Sequence, residues 1–220
     1  MPEVLYPHTP AAGQGGREPA GLLAAVVLAL LLSALRPYSY QIWLLEVAPV
    51  LIGLVLLVAT RRPFPLTPLL YRLLALHALI LIVGGHYAYA RVPLGFWLQD
   101  LFELSRNHYD RLGHLAQGFI PAILTREILL RRSPLVPGKW LFFLVLSVCL
   151  AFSAFYEFIE WWVALLDDQV SQDFLGSQGD VWDTHWDMFL ALIGALVSQL
   201  LLARAHDRAL AALAGPRPRQ

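Results

Sequence analysis

The stretch YDRLGHLAQGFIPAILTREILL, residues 109–130, decides how this chain is read. Its second half is apolar enough to sit in lipid, yet its first half puts Asp110, Arg111 and His114 on the same predicted helix. A helix that enters a bilayer with three ionisable groups at its mouth needs a reason for them. The rest of the chain supplies one.

Hydrophobic residues make up 58% of the 220 residues and charged residues 15%, where a soluble domain carries about 25%. Mean hydropathy is +0.58. Several apolar runs exceed what a globular core requires, so the chain reads as an integral membrane protein. A formal net charge of zero and the lack of a basic stripe argue against a nucleic-acid partner. The single cysteine, Cys149, lies in an apolar run, cannot form an intramolecular disulfide, and is expected to be buried and inert.

Hydropathy predicts an all-α, polytopic helical bundle. About six spans are expected, near 20–36, 42–60, 66–90, 108–130, 139–163 and 184–204. Residues 1–19 read as a mobile tail, 20–208 as one transmembrane domain and 209–220 as a C-terminal tail. The run AGLLAAVVLALLLSAL (20–35) could pass for a secretory signal, but no soluble domain follows it, so an uncleaved first span is expected.

Alternating sides places twelve of the 16 Lys and Arg residues with the N-terminus. Arg36, Arg91, Arg106 and Arg111 fall opposite. Both termini are therefore expected in the cytoplasm. The stretch 164–183, with five Asp and no Lys or Arg, suits the outer side. The segment LGFWLQDLFEL (94–104) is too short to cross and is expected to lie as an interfacial helix.

This topology gathers the ionisable groups. His86 ends the third span, Asp110 and His114 open the fourth, Glu157 and Glu160 close the fifth, and Asp180, Asp183 and Asp187 open the sixth. Spacings of three and four put each set on one helical face, the last if its helix begins before Asp180. An isolated charge near the bilayer centre costs at least ~2.5–3.5 kcal/mol. Acids held together repel unless a divalent cation, an arginine or a shared proton offsets them. Trp161, Trp162, Trp182 and Trp186 form an aromatic belt, so Glu160, Asp180 and Asp183 also read as solvated helix ends or caps, as does Asp110. His114, Glu157 and Asp187 lie further into apolar sequence and favour a functional or paired role. His77 reads as a packed histidine, Glu46 as a lone acid, and Arg126 and Glu127 as the interfacial end of their helix. Gly84, Gly85, Gly118 and Gly194 are expected at close helix approaches. No phosphate loop, HExxH, CxxC pair or nucleophile elbow occurs.

The stretches GGHYAYARVPLGFW, YDRLGHLAQGFIPA, FYEFIEWW and FLGSQGDVWDTHWDMFLALIGAL resemble the YjdF family of bacterial inner-membrane proteins over residues 37–208. The resemblance implies a multi-pass inner-membrane location. A looser likeness to VanZ-like membrane proteins rests on Asp110, Arg111 and His114, then Glu157 or Glu160, then Asp183 or Asp187. It implies that these positions form an active or binding site.

The leading expectation is an outward-facing pocket acting as a metal-assisted enzyme on an envelope lipid or its head group. Asp110, His114, Glu157 and Asp187 would be ligands or acid/base groups, with Glu160 and Asp183 as further metal ligands. Arg106, Arg111, His86 and Gln117 would contact the substrate, the arginines pairing with an anionic head group. A proton- or cation-coupled transporter and a non-catalytic scaffold remain as alternatives.

Overall fold

The computed structural model describes residues 17–166 and 174–214. It is all-helical: α1 (Arg17–Ser33), α2 (Tyr40–Thr60), α3 (Pro68–Tyr87), a short 3₁₀ turn (Tyr89–Arg91), α4 (Pro93–Leu101), α5 (Tyr109–Arg132), α6 (Lys139–Leu166) and α7 (Asp183–Ala214). The tails before residue 17 and after 214, and the acidic stretch 167–173, lie outside the described residues.

Local chemistry starts the helices where the sequence changes character. Ser39 caps α2 by accepting from the Ile42 N–H, and Thr67 caps α3 by accepting from Leu70 with Pro68 in the first turn. Four helices, α2, α3, α6 and α7, are long and apolar enough to cross a membrane. Outward side chains such as Val55, Leu56, Leu200 and Leu201 are more than half exposed. An apolar exterior of this extent needs lipid around it. α1 is 17 residues long and α5 carries charge at both ends, so neither matches the other four by length and composition.

α5 is the central element. It packs along α7, α6 and α3, while α1 and α2 pack on α3. The α5–α7 crossing is closest: a Cβ on Gly118 would strike the Ala191 carbonyl, and one on Gly194 the Leu115 carbonyl. Both glycines therefore set the distance between the two helices that carry His114 and Asp187. Cys149 is buried with Leu141, Val145 and Ala195 in the core between α5, α6 and α7, as expected.

Two boundaries differ in ways that matter. α7 begins at Asp183, so Asp180 belongs to the preceding turn and its carboxylate accepts from the Trp182 N–H. The three-Asp stripe is thus broken at its first member. At its other end α7 continues to Ala214, ten residues past the expected end of the span, and this brings His206 and Asp207 alongside α5.

That extension gives Arg126 and Glu127, expected as the interfacial end of their helix, partners inside the bundle; they are 4% and 0% exposed. One Glu127 oxygen accepts from the Thr67 N–H (3.0 Å) and Arg131 (2.8 Å), the other from the Thr67 hydroxyl (2.8 Å) and His206 Nε2 (3.0 Å). Arg126 donates to His206 Nδ1 (2.8 Å) and pairs with Asp207 at 2.7 Å. An arginine can only donate, so Nδ1 accepts and Nε2 carries the proton given to Glu127. Arg131 also reaches the Pro65 carbonyl and lies over the Phe64 ring. The cluster ties α3, α5 and α7 together at the end of the bundle away from His114.

Candidate functional site

At the other end, three helices deliver acids to one imidazole. α5 carries Asp110 and His114 one turn apart, α6 carries Glu157 and Glu160, and α7 carries Asp187. All five are buried, none more than 7% exposed. His114 Nε2 lies 3.6 Å from Asp110 Oδ1 and 3.9 Å from Asp187 Oδ1, while Nδ1 lies 3.9 Å from Glu157 Oε1. Potential ligand atoms of Asp110, His114 and Asp187 lie within 4.8 Å of one another, as do those of His114, Glu157 and Glu160. The expectation that these side chains converge is met.

The separations are informative. An N–H···O hydrogen bond needs about 2.7–3.2 Å, so at 3.6–3.9 Å His114 bonds to none of these acids. Asp110 Oδ2, His114 Nδ1, Glu157 Oε1 and Asp187 Oδ1 are buried without a hydrogen-bond partner. Two ligands on one ion, each about 2.0–2.2 Å from it, stand up to about 4 Å apart. Carboxylates with one imidazole form a hard-to-borderline donor set suited to Mg²⁺, Mn²⁺ or Zn²⁺. Such a donor set could hold a divalent cation.

A separate ionic layer covers this cluster. Arg106 pairs with Asp183 at 2.8 Å and Asp180 at 3.6 Å, and donates to the carbonyls of Ser177 and Gly176. Arg111 pairs with Asp180 at 2.6 Å and lies over the Trp186 ring. Both arginines expected to hold an anionic head group are thus engaged by the protein's own acids. Asp183, expected as a metal ligand, is engaged by Arg106. The physical reason is proximity: the turn before α7 folds back onto the start of α5.

Asn107 and Gln178 lock that turn. The Asn107 N–H donates to Gln178 Oε1, and Gln178 Nε2 donates to the Asn107 carbonyl. Gly176 adopts φ +63°, a backbone shape that L side chains rarely take, and a Cβ there would lie in van der Waals contact with the Asp110 carboxylate. Asp110 sits in the first turn of α5 and is not its cap, which is His108. His108, just ahead of α5, is held below the ordinary imidazole pKa by desolvation first, then by the charges of Arg111 and Arg106.

The remaining expected residues separate. His86 bonds through Nδ1 to the Ser33 carbonyl, which ties α3 to the end of α1. Gln117 lines the same cavity as His114, its Oε1 buried and without a partner. Three residues were missed. Glu46, read as a lone acid, is buried, accepts from the Tyr156 hydroxyl at 3.2 Å and shares a cavity with Asp110, His114 and Glu160. Tyr156 and Tyr89 line that cavity as well. Glu46 stands in the apolar run WLLEVAPV, and the default that favoured Glu157, that an acid inside a span has a purpose, applied equally to it.

A helical exterior built for lipid and a buried acid–histidine cluster define a polytopic integral membrane protein. The family described as "Predicted membrane protein (DUF2238)" matches residues 19–208, and the chain belongs to it. Inner membrane protein YjdF of Escherichia coli (strain K12) is 53% identical over 185 residues, 84% of this chain and 88% of that protein. The expected YjdF resemblance and multi-pass inner-membrane character are therefore met. No solved structure matches the chain.

Proposed function

We propose that the chain is a six-span inner-membrane protein whose acid–histidine cluster holds a divalent cation and acts on the anionic head group of an envelope lipid. α1, α2, α3, α5, α6 and α7 are the spans, α4 lies in the outer interface, and both termini face the cytoplasm. The asymmetry of basic residues supports this orientation.

One observation carries the metal reading: two buried, unpartnered acid oxygens, Glu157 Oε1 and Asp187 Oδ1, stand 3.9 Å from a single imidazole that also has Asp110 Oδ1 at 3.6 Å. Asp110, His114 and Asp187 form the proposed ligand set, with Glu157 and Glu160 on the Nδ1 side of the ring. When bound, the cation supplies Lewis-acid stabilisation of a head-group oxygen. It also reconciles an anionic substrate with an acid-rich site, since Arg106 and Arg111 are already paired. Glu157 and Glu160 supply the proton acceptor, and Gln117 offers a hydrogen-bonding side chain on the same wall. The transporter reading has less support. From His114 toward the Glu127 cluster the cavity wall is mostly apolar, and no ladder of acids continues along it.

Elemental analysis of purified protein tests the proposal. About one divalent ion per chain is expected, lost in Asp187→Asn. An ion at a hundred times its Kd adds about 2.7 kcal/mol, so chelation should lower Tm by about 5–11 °C. Protein with no stoichiometric metal and a Tm indifferent to chelator would refute it.

A further inference from the structure

A cavity of about 1100 Å³ starts at this cluster and runs along the bundle. Glu46, Asp110, His114, Tyr156 and Glu160 form one end, and Arg61 and Arg62 the other. Its α5 wall extends from Asp110 to Leu129. At 1.5 Å per residue that is about 28 Å, close to the ~30 Å hydrocarbon thickness of a bilayer. Small-molecule pockets occupy roughly 300–1,000 Å³.

The walls between the ends are apolar, with Val50, Leu54, Leu81, Leu124 and Ile159 among them. The cavity also opens sideways. Ile52 and Leu56 of α2 and Phe152 and Phe155 of α6 line it, yet each is more than half exposed on the outer surface. At the polar level α2 and α6 are bridged by the Tyr156–Glu46 hydrogen bond. Below that bridge, the space between the two helices communicates with the surrounding bilayer.

We propose that this groove is a lipid-binding site. One phosphate-bearing membrane lipid enters sideways between α2 and α6, lays its hydrocarbon along the apolar walls and brings its head group to the Asp110–His114–Glu160 end. Three features select this occupant. The groove is more than long enough for one lipid's hydrocarbon, which spans about half of the ~30 Å core, its opening faces lipid rather than water, and its polar end is continuous with the acid–histidine cluster. A soluble substrate would need none of the first two. The placement of the head group rests on the metal reading above; the seating of the hydrocarbon does not.

Gly53 provides a direct test. It lies on the α2 wall, and a Cβ built there meets nothing within 4 Å, so a side chain can start there without a backbone clash and take up groove space. Gly21 is equally open and does not line the groove, which makes it the control. Purified protein would be equilibrated with vesicles of phosphatidylethanolamine and phosphatidylglycerol, returned to detergent, and its retained lipid counted by native mass spectrometry.

Wild-type protein and Gly21→Trp should each retain one lipid per chain. Gly53→Trp should retain at least about tenfold less, the equivalent of 1.4 kcal/mol, with Gly53→Leu between them. Gly53→Trp should keep its metal, which shows that it folds, while Asp110→Asn should lose metal and keep lipid. Lipid lost from Gly53→Trp in protein that never binds metal would leave the groove standing and overturn the metal centre alone. Equal retention in Gly53→Trp and wild type, or no retention by wild type, overturns the groove.

Discussion

Replacing Glu127 by Gln probes the buried cluster at the end of α5 distant from His114. The substitution keeps the shape and removes the charge. Its four donors, two from Thr67 and one each from Arg131 and His206, now face an amide with a single acceptor oxygen. Arg131, 1% exposed, keeps the Pro65 carbonyl but loses its carboxylate. Breaking a buried pair from one side costs about 3–5 kcal/mol. At 2–4 °C per kcal/mol for a chain of this size, Tm should fall by about 6–20 °C. The protein carries its own reporter. Cys149 is the sole cysteine and 3% exposed in the core, so a thiol-reactive fluorogenic dye labels it as the helices separate. A shift under about 2 °C would show that Glu127 is not the neutralising partner of Arg131, and that the long α7 is not fastened through His206.

Gly194→Leu should cost more than the usual 1–3 kcal/mol of overpacking, because its Cβ meets the Leu115 backbone and not a movable side chain; the dye assay reads this as early Cys149 labelling. Arg106→Gln should free the turn at 176–180, which it fastens through two carbonyls and Asp183, and strand a buried acid. Faster hydrogen exchange at 176–180 with metal content preserved is the expected outcome, and unchanged exchange would assign the turn to Gln178 and Asn107. Glu160→Gln should raise the Tm of metal-free protein, since it removes one acid from a group that repels itself, and thermal melts in chelator decide the sign.

Much of the site was legible because it obeys short-range rules. Asp110 with His114 and Glu157 with Glu160 are spaced for one helical face, and alternating topology brings those faces to one level. What could not be read was the identity of partners far apart in sequence. Arg106 meets Ser177 and Asp183, and Glu127 meets Thr67 and His206, through packing that periodicity does not encode. Hydropathy also stopped the last span at 204, because Arg204, His206, Asp207 and Arg208 look like a watery end. The helix continues regardless, since His206 and Asp207 find partners on α5. Glu46 was set aside for lacking a neighbour in sequence, though its neighbour, Tyr156, comes from another helix.

The two buried polar clusters on α5 make the functional argument by contrast. Around Glu127 both carboxylate oxygens are bonded, at 2.8–3.0 Å, by donors that belong to the protein. Around His114, acids from α5, α6 and α7 stand 3.6–3.9 Å away, and Asp110 Oδ2, Glu157 Oε1 and Asp187 Oδ1 have no hydrogen-bond partner. The Glu127 cluster is closed by its own donors, whereas the His114 cluster faces the cavity. Burying an unpaired acid costs stability, and a fold able to complete one cluster has the means to complete the other. Leaving ligand positions open beside an apolar-walled groove is the arrangement expected where an outside group, a cation and the head group it binds, completes the set.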